Sequence, residues 1–571
     1  MIKEEMHISF KFFLMILALY AFVFCIKANA EAANYYIDNS KGSDDNAGSF
    51  DLPWKTLQKA NSTLKAGDTV YLREGVYKNQ QISPKNSGEK YKIITYTNYN
   101  NEKVNLSSAK IPIYLEKKQY IQVSGLMVTD CIYFFVLYNG SSYNVIQDCT
   151  FQNAKAYFGS LMSNYYIDAI KGTRDKSITG VSNNYNKIIN NKWLDAPDQC
   201  SDGPDQNCGT APSDLHYCEK GAYNLYEGNR FGKCSHDNLV FGGVDTHHNI
   251  IRSNHFRNTY RRGLNMYLGT NFNLVEKNSF YDHGLEMAQN PTLESRKHDP
   301  WNPGAFQCIN GCRNMIVRKN LFNNNGHVLA HNGEYMHFYN NTANRQIITI
   351  YSEGGKFDFR YNSYKNNIFS NTISLGWAND REFIFSWLTY VQPGYVMENN
   401  IITHNTFTGN NNRWRYNRNY SFSSLAEFEA STQDAFDNND YMPLFVESSK
   451  NNFELTKKSL MIDNGAWLTV IKSPSNKGQS FFIVDDAGYF FDGWGIENEK
   501  GDIIKTANGK TTQIKKIDYE SNRIYVDPPI DIYINEGLAL NYYGLLPDIG
   551  AYEFLADPTS RMSPPNKLRV K

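Results

Sequence analysis

Asn224-Leu-Tyr-Glu-Gly-Asn229-Arg-Phe231, Asn249-Ile-Ile-Arg-Ser-Asn254-His-Phe256 and Asn273-Leu-Val-Glu-Lys-Asn278-Ser-Phe280 are one phrase written three times. Its second asparagines stand 25 and 24 residues apart, and Asn320 and Asn341 continue the series after an insertion between Phe280 and Arg313. A period in the low twenties, made of two or three short β-rich runs, marks a solenoid. A unit this small cannot bury its own apolar face, so neighbouring units must complete the core. The expected fold is a parallel β-helix.

Further coils are expected on either side, from Lys92-Ile-Ile-Thr-Tyr96 through Tyr143-Asn-Val-Ile-Gln-Asp-Cys-Thr-Phe151 and Ile188-Ile-Asn-Asn191 to Glu398-Asn-Asn400-Ile-Ile402. Alternation turns branched and aromatic residues inward on each short strand. Asparagine recurs at one turn because it tolerates left-handed backbone and can bond the coils above and below. Asn229, Asn254, Asn278 and Asn320 are therefore structural, with no catalytic role.

The chain opens with a charged flank, an apolar run from Phe12 to Ile26 and the small-x-small site Ala28-Asn-Ala30. This pattern describes a signal peptide over 1–30, and fifteen apolar residues are short for a membrane span. A secreted chain, with no membrane span after cleavage, is expected. Removing 1–30 takes three Lys/Arg and two Asp/Glu from the 58 of each, which leaves a net charge of −1. Such a balance excludes the basic excess of nucleic-acid binders. Eight cysteines remain, and in an exported chain an even number favours disulfides, with Cys308–Cys312 as the local bridge. Zinc is the rival, but no matched pair of CxxC motifs exists.

Trp54, Leu57, Ala60 and Leu64 share a helical stripe, so a short amphipathic helix is expected to cap the open end of the solenoid. The phrasing from Tyr35 to Tyr77, and the closing Leu546-Pro-Asp-Ile-Gly-Ala-Tyr-Glu553, resemble secreted right-handed parallel β-helix proteins of the pectate-lyase-like superfamily. The resemblance implies an all-β, right-handed parallel β-helix and carbohydrate activity without naming a substrate. The clustered aspartates with Lys or Arg of pectate lyases are not present in recognisable form. Nor are the Asp-Asp and Gly-His-Gly signatures of polygalacturonase-like hydrolases. The expected layout is a capping region over 31–91, the β-helix over 92–465, a small inserted antiparallel β-barrel over 466–541, a closing strand over 542–556 and a flexible tail over 557–571. Two insertions, 195–222 and 284–312, break the coils. Clustered aspartates in the first would suit calcium, although no EF-hand spacing is present and a solvated acidic loop is the better reading.

Nine of the eleven histidines after residue 30 lie between His236 and His337. Counting five residues beyond Phe231, Phe256 and Phe322 gives His236, Arg261 and His327; six beyond the first two gives Asp237 and Arg262. Beyond Phe280, the same neighbourhood holds His283. Equivalent positions stack about 4.8 Å apart on adjacent coils, so these side chains are expected to form one column. The catalytic candidates are His236, Asp237, Arg261, Arg262 and His283. The substrate-binding candidates are Glu286, Lys297, His298, Trp301 and His327, most of them on the 284–312 loop. Glu227–Arg262 carries six basic residues against three acidic, which suits an anionic polysaccharide. His247-His248 opens a coil as a turn.

Four functions compete. In a polysaccharide lyase, His236 or His283 would be the base, Asp237 would orient an imidazole, and Arg261 and Arg262 would neutralise a uronate carboxylate. A glycoside hydrolase would instead need two carboxyls from Asp237, Asp282, Glu286 and Asp299. A C5-epimerase shares the lyase's proton abstraction, and a non-catalytic glycan binder would use the column only as a ladder. No metal or organic cofactor is secured by these residues, calcium being the candidate, and a monomer is expected.

Overall fold

The computed structural model describes residues 32–155, 158–162, 182–195, 214–234, 236–259, 261–284, 304–346, 348–352, 357–372, 385–387, 395–409, 414–416 and 420–555. The expected signal segment 1–30, most of the 195–222 and 284–312 insertions, and the tail lie outside them. Described strands stack in parallel into a 24-stranded sheet that covers two faces and a 12-stranded sheet that forms the third. Register follows the repeated phrase: Leu225 pairs with Ile250 and then Leu274, and Phe231 with Phe256 and then Phe280. The fold is a right-handed parallel β-helix.

Two side-chain columns hold the coils in register. Phe231, Phe256, Phe280 and Phe322 stack inside the solenoid with centroids 5.0, 4.7 and 4.9 Å apart. Asn191, Asn229, Asn254, Asn278, Asn320, Asn341, Asn367 and Asn405 form a buried ladder, in which each Oδ1 accepts from the backbone N–H and Nδ2 of the preceding member. The ladder is structural as expected, but its conformational reason differs. The left-handed residue is the one before the asparagine: Gly228, Ser253, Lys277 and Lys319 have φ of 66°, 55°, 56° and 55°. A second ladder, Asn144 to Asn273, follows the left-handed residues Tyr143, Tyr185, Tyr223, His248 and Phe272. Bulky side chains pay for that conformation, and here the rings stack on one another about 5 Å apart, His248 between Tyr223 and Phe272.

The capping helix spans Leu57–Thr63. Thr56 is its N-cap, and Trp54, Leu57, Ala60 and Leu64 are buried against the first coil. Parallel stacking already starts with Asn34–Ile37 on Thr69–Leu72, earlier than residue 92, so the cap sits within the first coils. Residues 542–555, expected as a closing strand, form turns; Asn340 Nδ2 donates to the Asp548 and Gly550 carbonyls and holds them along the solenoid. No described helix is long and apolar enough to cross a membrane.

The described cysteines 131, 149, 218, 234, 308 and 312 are free and buried. The expected Cys308–Cys312 bridge does not form. Cys308 and Cys312 are free thiols that face each other within hydrogen-bond reach in the core, and Cys312 also shares a hydrogen bond with Thr270. Burial pushes the Cys149 thiol up to about 12.

The C-terminal insertion is a six-stranded antiparallel half-barrel between Thr469 and Leu540. It covers one outer face of the solenoid. Leu225, Ile250, Leu274, Ile316 and Tyr339 join Leu468, Phe490, Phe491 and Ile496 in one apolar cluster. Beside them, Glu276 takes Arg252 at 2.7 Å and Arg318 at 2.8 Å, while Arg318 grips Asp502 with two bonds of 2.7 Å and Arg252 reaches Glu499 at 2.7 Å. Removing one member of a buried ion network strands the others without partners. Arg318→Leu should cost about 3–5 kcal/mol, measured by denaturant unfolding, and should expose residues 466–541 to limited proteolysis.

Candidate active site

The sheet face that carries the site is built from Asp214–Glu219, Asp237–Gly242, Arg262–Tyr267, Gly304–Arg318 and His327–Tyr339. Leu239 and Phe241, Leu264 and Met266, and Phe306 and Cys308 point into the core. Between them, Val240, Asn265, Gln307 and Ala330 are direct cross-strand partners and point away from it. At the head of these strands Asp237 pairs with Arg262 and Arg262 with Gly304. Continuing that register puts His327 above Gly304. His327 therefore stacks in the column of Asp237 and Arg262, one position away from the His236–Arg261 column that the count from Phe322 implied. A Cβ on Gly304 would meet the His327 ring at 2.4 Å, so only glycine fits there.

His236 is the centre of the cluster. Its Nδ1 lies 2.6 Å from Asp214 Oδ1 and 3.2 Å from Asp237 Oδ2, and Arg261 Nη1 contacts its Nε2. Asp237 Oδ2 also takes Asn265 Nδ2 at 2.8 Å and faces Arg262 Nη1 at 3.5 Å. The backbone N–H of Asp237 donates to Asp214, and those of Arg261 and Arg262 donate to the His236 carbonyl, so the coil corners are tied together beneath the side chains. Burial on its own lowers the His236 imidazole, but the carboxylates of Asp237 and Asp214 outweigh it and raise the group to about 9. Arg261 opposes them, because a donor against Nε2 requires that nitrogen to be unprotonated. Burial alone would raise Asp237, yet His236 and Arg262 hold it well below the usual carboxylate value. Asp214 is raised, chiefly by burial.

His236, Asp237, Arg261 and Arg262 thus share one site. His283 sits inside the solenoid, fully buried, with Nδ1 2.8 Å from Thr259 Oγ1 and its ring edge-on to Phe280. His283 follows Phe280 by three residues, whereas His236 follows Phe231 by five, so His283 stacks beside Thr259 and not beside Arg261. Glu286, Lys297, His298, Trp301 and Asp299 lie outside the described residues. The basic excess of Glu227–Arg262 is not one patch: Arg252 faces the half-barrel, whereas Arg261 and Arg262 face the site. Asp214 was read as loop acid because the 195–213 insertion breaks the count from Trp193. Asn265 and Gln307 carried no signal beyond lying on alternating strands.

Among the described residues, Asp214, His236 and Asp237 are the group whose ligand atoms, within 4.8 Å of one another, could share a metal ion. Calcium takes six to eight oxygens. Here two carboxylates are largely engaged by His236, Arg262, Asn265 and the Asp237 amide, and two guanidiniums already supply positive charge. The described donors fall short of a calcium set.

A family model for the Pel9A-like right-handed β-helix region matches residues 35–367. The chain belongs to this family. Among solved structures, pectate lyase Pel9A is 14% identical, with 92% of this chain and 97% of that one covered and a TM-score of 0.41. XylC in complex with xylose is 12% identical over 89% and 100% of the two chains, TM-score 0.46, and a rhamnogalacturonan lyase is 17% identical over 66% and 87%, TM-score 0.40. The uncharacterized protein YwoF of Bacillus subtilis (strain 168) is 37% identical over 113 residues, 18% of this chain and 24% of that protein. The chain spans about a quarter of that relative's length. These likenesses assign no residue or substrate to this Pel9A-like chain.

Three interior histidines give the family member an acid liability. Burial holds His216, His283 and His331 at about 3, against 6.5 for a free imidazole. Below pH 6.5 the unfolded chain binds protons that the folded chain refuses, so stability should fall as pH drops from 6.5 towards 3. His283→Gln, which reaches Thr259 but does not titrate, should flatten this limb in melting curves taken between pH 7 and pH 4.

Proposed function

We propose that this protein is an exported polysaccharide lyase that cleaves an anionic, uronic-acid-containing polysaccharide by β-elimination. The observation that carries the reading is the Asp214–His236 bond of 2.6 Å with two guanidiniums on the adjacent coil. Elimination needs a base for the proton α to the uronate carboxylate and cations for the enolate-like charge that follows. His236 Nε2 is the base. Asp214 holds the proton on Nδ1, fixes the tautomer and stabilises the imidazolium. Arg261 and Arg262 take the substrate carboxylate. As the carboxylate draws Arg261 away, Nε2 is released to accept the proton; the C4–O4 bond then breaks, its electron pair leaves on O4, which takes a proton from the His236 imidazolium or from water, and a C4=C5 double bond remains. Family membership, and the lyases among the structural neighbours, agree with this chemistry without specifying it.

One observation favours a glycoside hydrolase as runner-up. Asp214 is raised and Asp237 lowered, the division expected of an acid and a base. Both carboxylates, however, are turned onto the same imidazole, which leaves neither poised across a glycosidic bond.

The test is a screen of pectate, alginate, rhamnogalacturonan and neutral glycans. Ultraviolet-absorbing unsaturated ends are expected on at least one uronan; reducing ends without absorbance would establish hydrolysis instead, and neither product would leave a binding protein. Because the base must be neutral, kcat/KM should climb with pH through about 9, where His236 loses its proton. His236→Ala should lower kcat by roughly 10²–10⁴-fold while the protein stays folded. Arg262→Lys should cost about 10²-fold, the loss expected from one donor to an oxyanion, because Lys cannot reproduce the planar fork.

A further inference from the structure

Beside His236 the sheet face carries buried polar atoms that the protein itself does not use. Gln307 is fully buried, and neither Oε1 nor Nε2 has a hydrogen-bond partner among the described residues. Asn265, its direct partner on the neighbouring strand, has an unpartnered Oδ1, and so does Asp237 at Oδ1. The Asn265 amide cannot be turned to hide this. Its Nδ2 donates to Asp237 Oδ2 at 2.8 Å, and a flip would set oxygen against the carboxylate. Unmade hydrogen bonds on buried groups are costly, and native proteins keep few of them without a ligand or water to complete them. The four atoms lie on adjacent coils, bounded by Val240 on one side and Ala330 on the other in the same outward column.

We infer that Asp237, Asn265 and Gln307 form a hydroxyl-binding subsite for the uncharged edge of a sugar ring whose carboxylate is held at Arg261 and Arg262. The inference rests on the polysaccharide reading above and adds the selectivity of the site. Asp237 Oδ1 and Asn265 Oδ1 only accept, and Gln307 both accepts and donates. Such a set welcomes a pair of neighbouring hydroxyls and repels a carboxylate, which separates it from the guanidinium side of the cluster. Val240 and Ala330, both buried, flank the three residues in the same column. An O-acetylated ring loses the hydroxyl protons that two of the three residues require, so the subsite selects unsubstituted uronan.

The experiment measures binding by isothermal titration calorimetry, with His236→Ala as the non-turning-over background. The probes are tetrasaccharides of galacturonic acid and of mannuronic or guluronic acid, each with and without O-acetylation. Gln307→Met, added to that background, removes both unpartnered atoms at nearly constant shape. Affinity for the unsubstituted probe should fall roughly 10–100-fold, the preference over the acetylated probe should shrink to near unity, and the melting temperature should hold or rise. Gln307→Leu provides the same reading should the methionine pack poorly. Unchanged affinity and preference in both variants, with a lowered melting temperature, would make the atoms internal water ligands and overturn the subsite while the lyase proposal stands. A background protein that binds none of the probes would overturn the subsite and the polysaccharide reading together.

Discussion

From Asn191 to Asn405 each coil of this protein is tied to the next through the asparagine ladder. A single turn of about 24 residues has too little interior to be stable alone. The ladder converts that weakness into register, because each buried amide satisfies the backbone and side chain of its neighbour and tolerates no slip. A shift by one residue would unmake the buried hydrogen bonds and turn the phenylalanine column out of the core at the same stroke. The left-handed residues before each asparagine cost conformational energy, and the stacked rings and closed ladder offset it.

Fixed register is what makes a site possible. Residues at the head of successive strands are held one inter-strand spacing apart by backbone bonds, so a histidine, two aspartates and two arginines from three coils meet without any of them being adjacent by chance of loop conformation. Their charges are resolved locally. Asp237 is held ionised by His236 and Arg262, Asp214 leans towards neutrality through burial, and His236 stands between carboxylates that favour its cation and a guanidinium that opposes it. A group balanced in this way changes state when a ligand carboxylate draws one of its neighbours away.

The half-barrel shows the opposite use of charge. Arg318, Arg252, Glu276, Asp502 and Glu499 are mutually satisfied, with bidentate geometry at Asp502, and no member of the network is left waiting for a ligand. This network fixes where the insertion sits, while the apolar cluster around Leu225, Ile250 and Leu274 supplies the burial. The polar atoms of Gln307, Asn265 and Asp237 on the other face lack that closure.

The repeated phrase was enough to determine the solenoid, the phenylalanine column and the asparagine ladder, because a period of 24–25 residues with fixed markers admits one stacking. The same count paired Asp237 with Arg262 and brought His236 beside Arg261. It failed where the interval between markers changed: an insertion hid Asp214 one coil below Asp237, and a corner one residue shorter moved His327 into the Asp237–Arg262 column. It also could not say which way a corner side chain turns. His236 follows Phe231 by five residues and His283 follows Phe280 by three; the first meets two carboxylates and the second fills the core beside Phe280. Side-chain direction at a corner depends on backbone twist and on the volume left by neighbouring coils. Sequence alone therefore determined the stacking of the coils, and only the tertiary structure decided which of the stacked residues face inward and which are held together as a site.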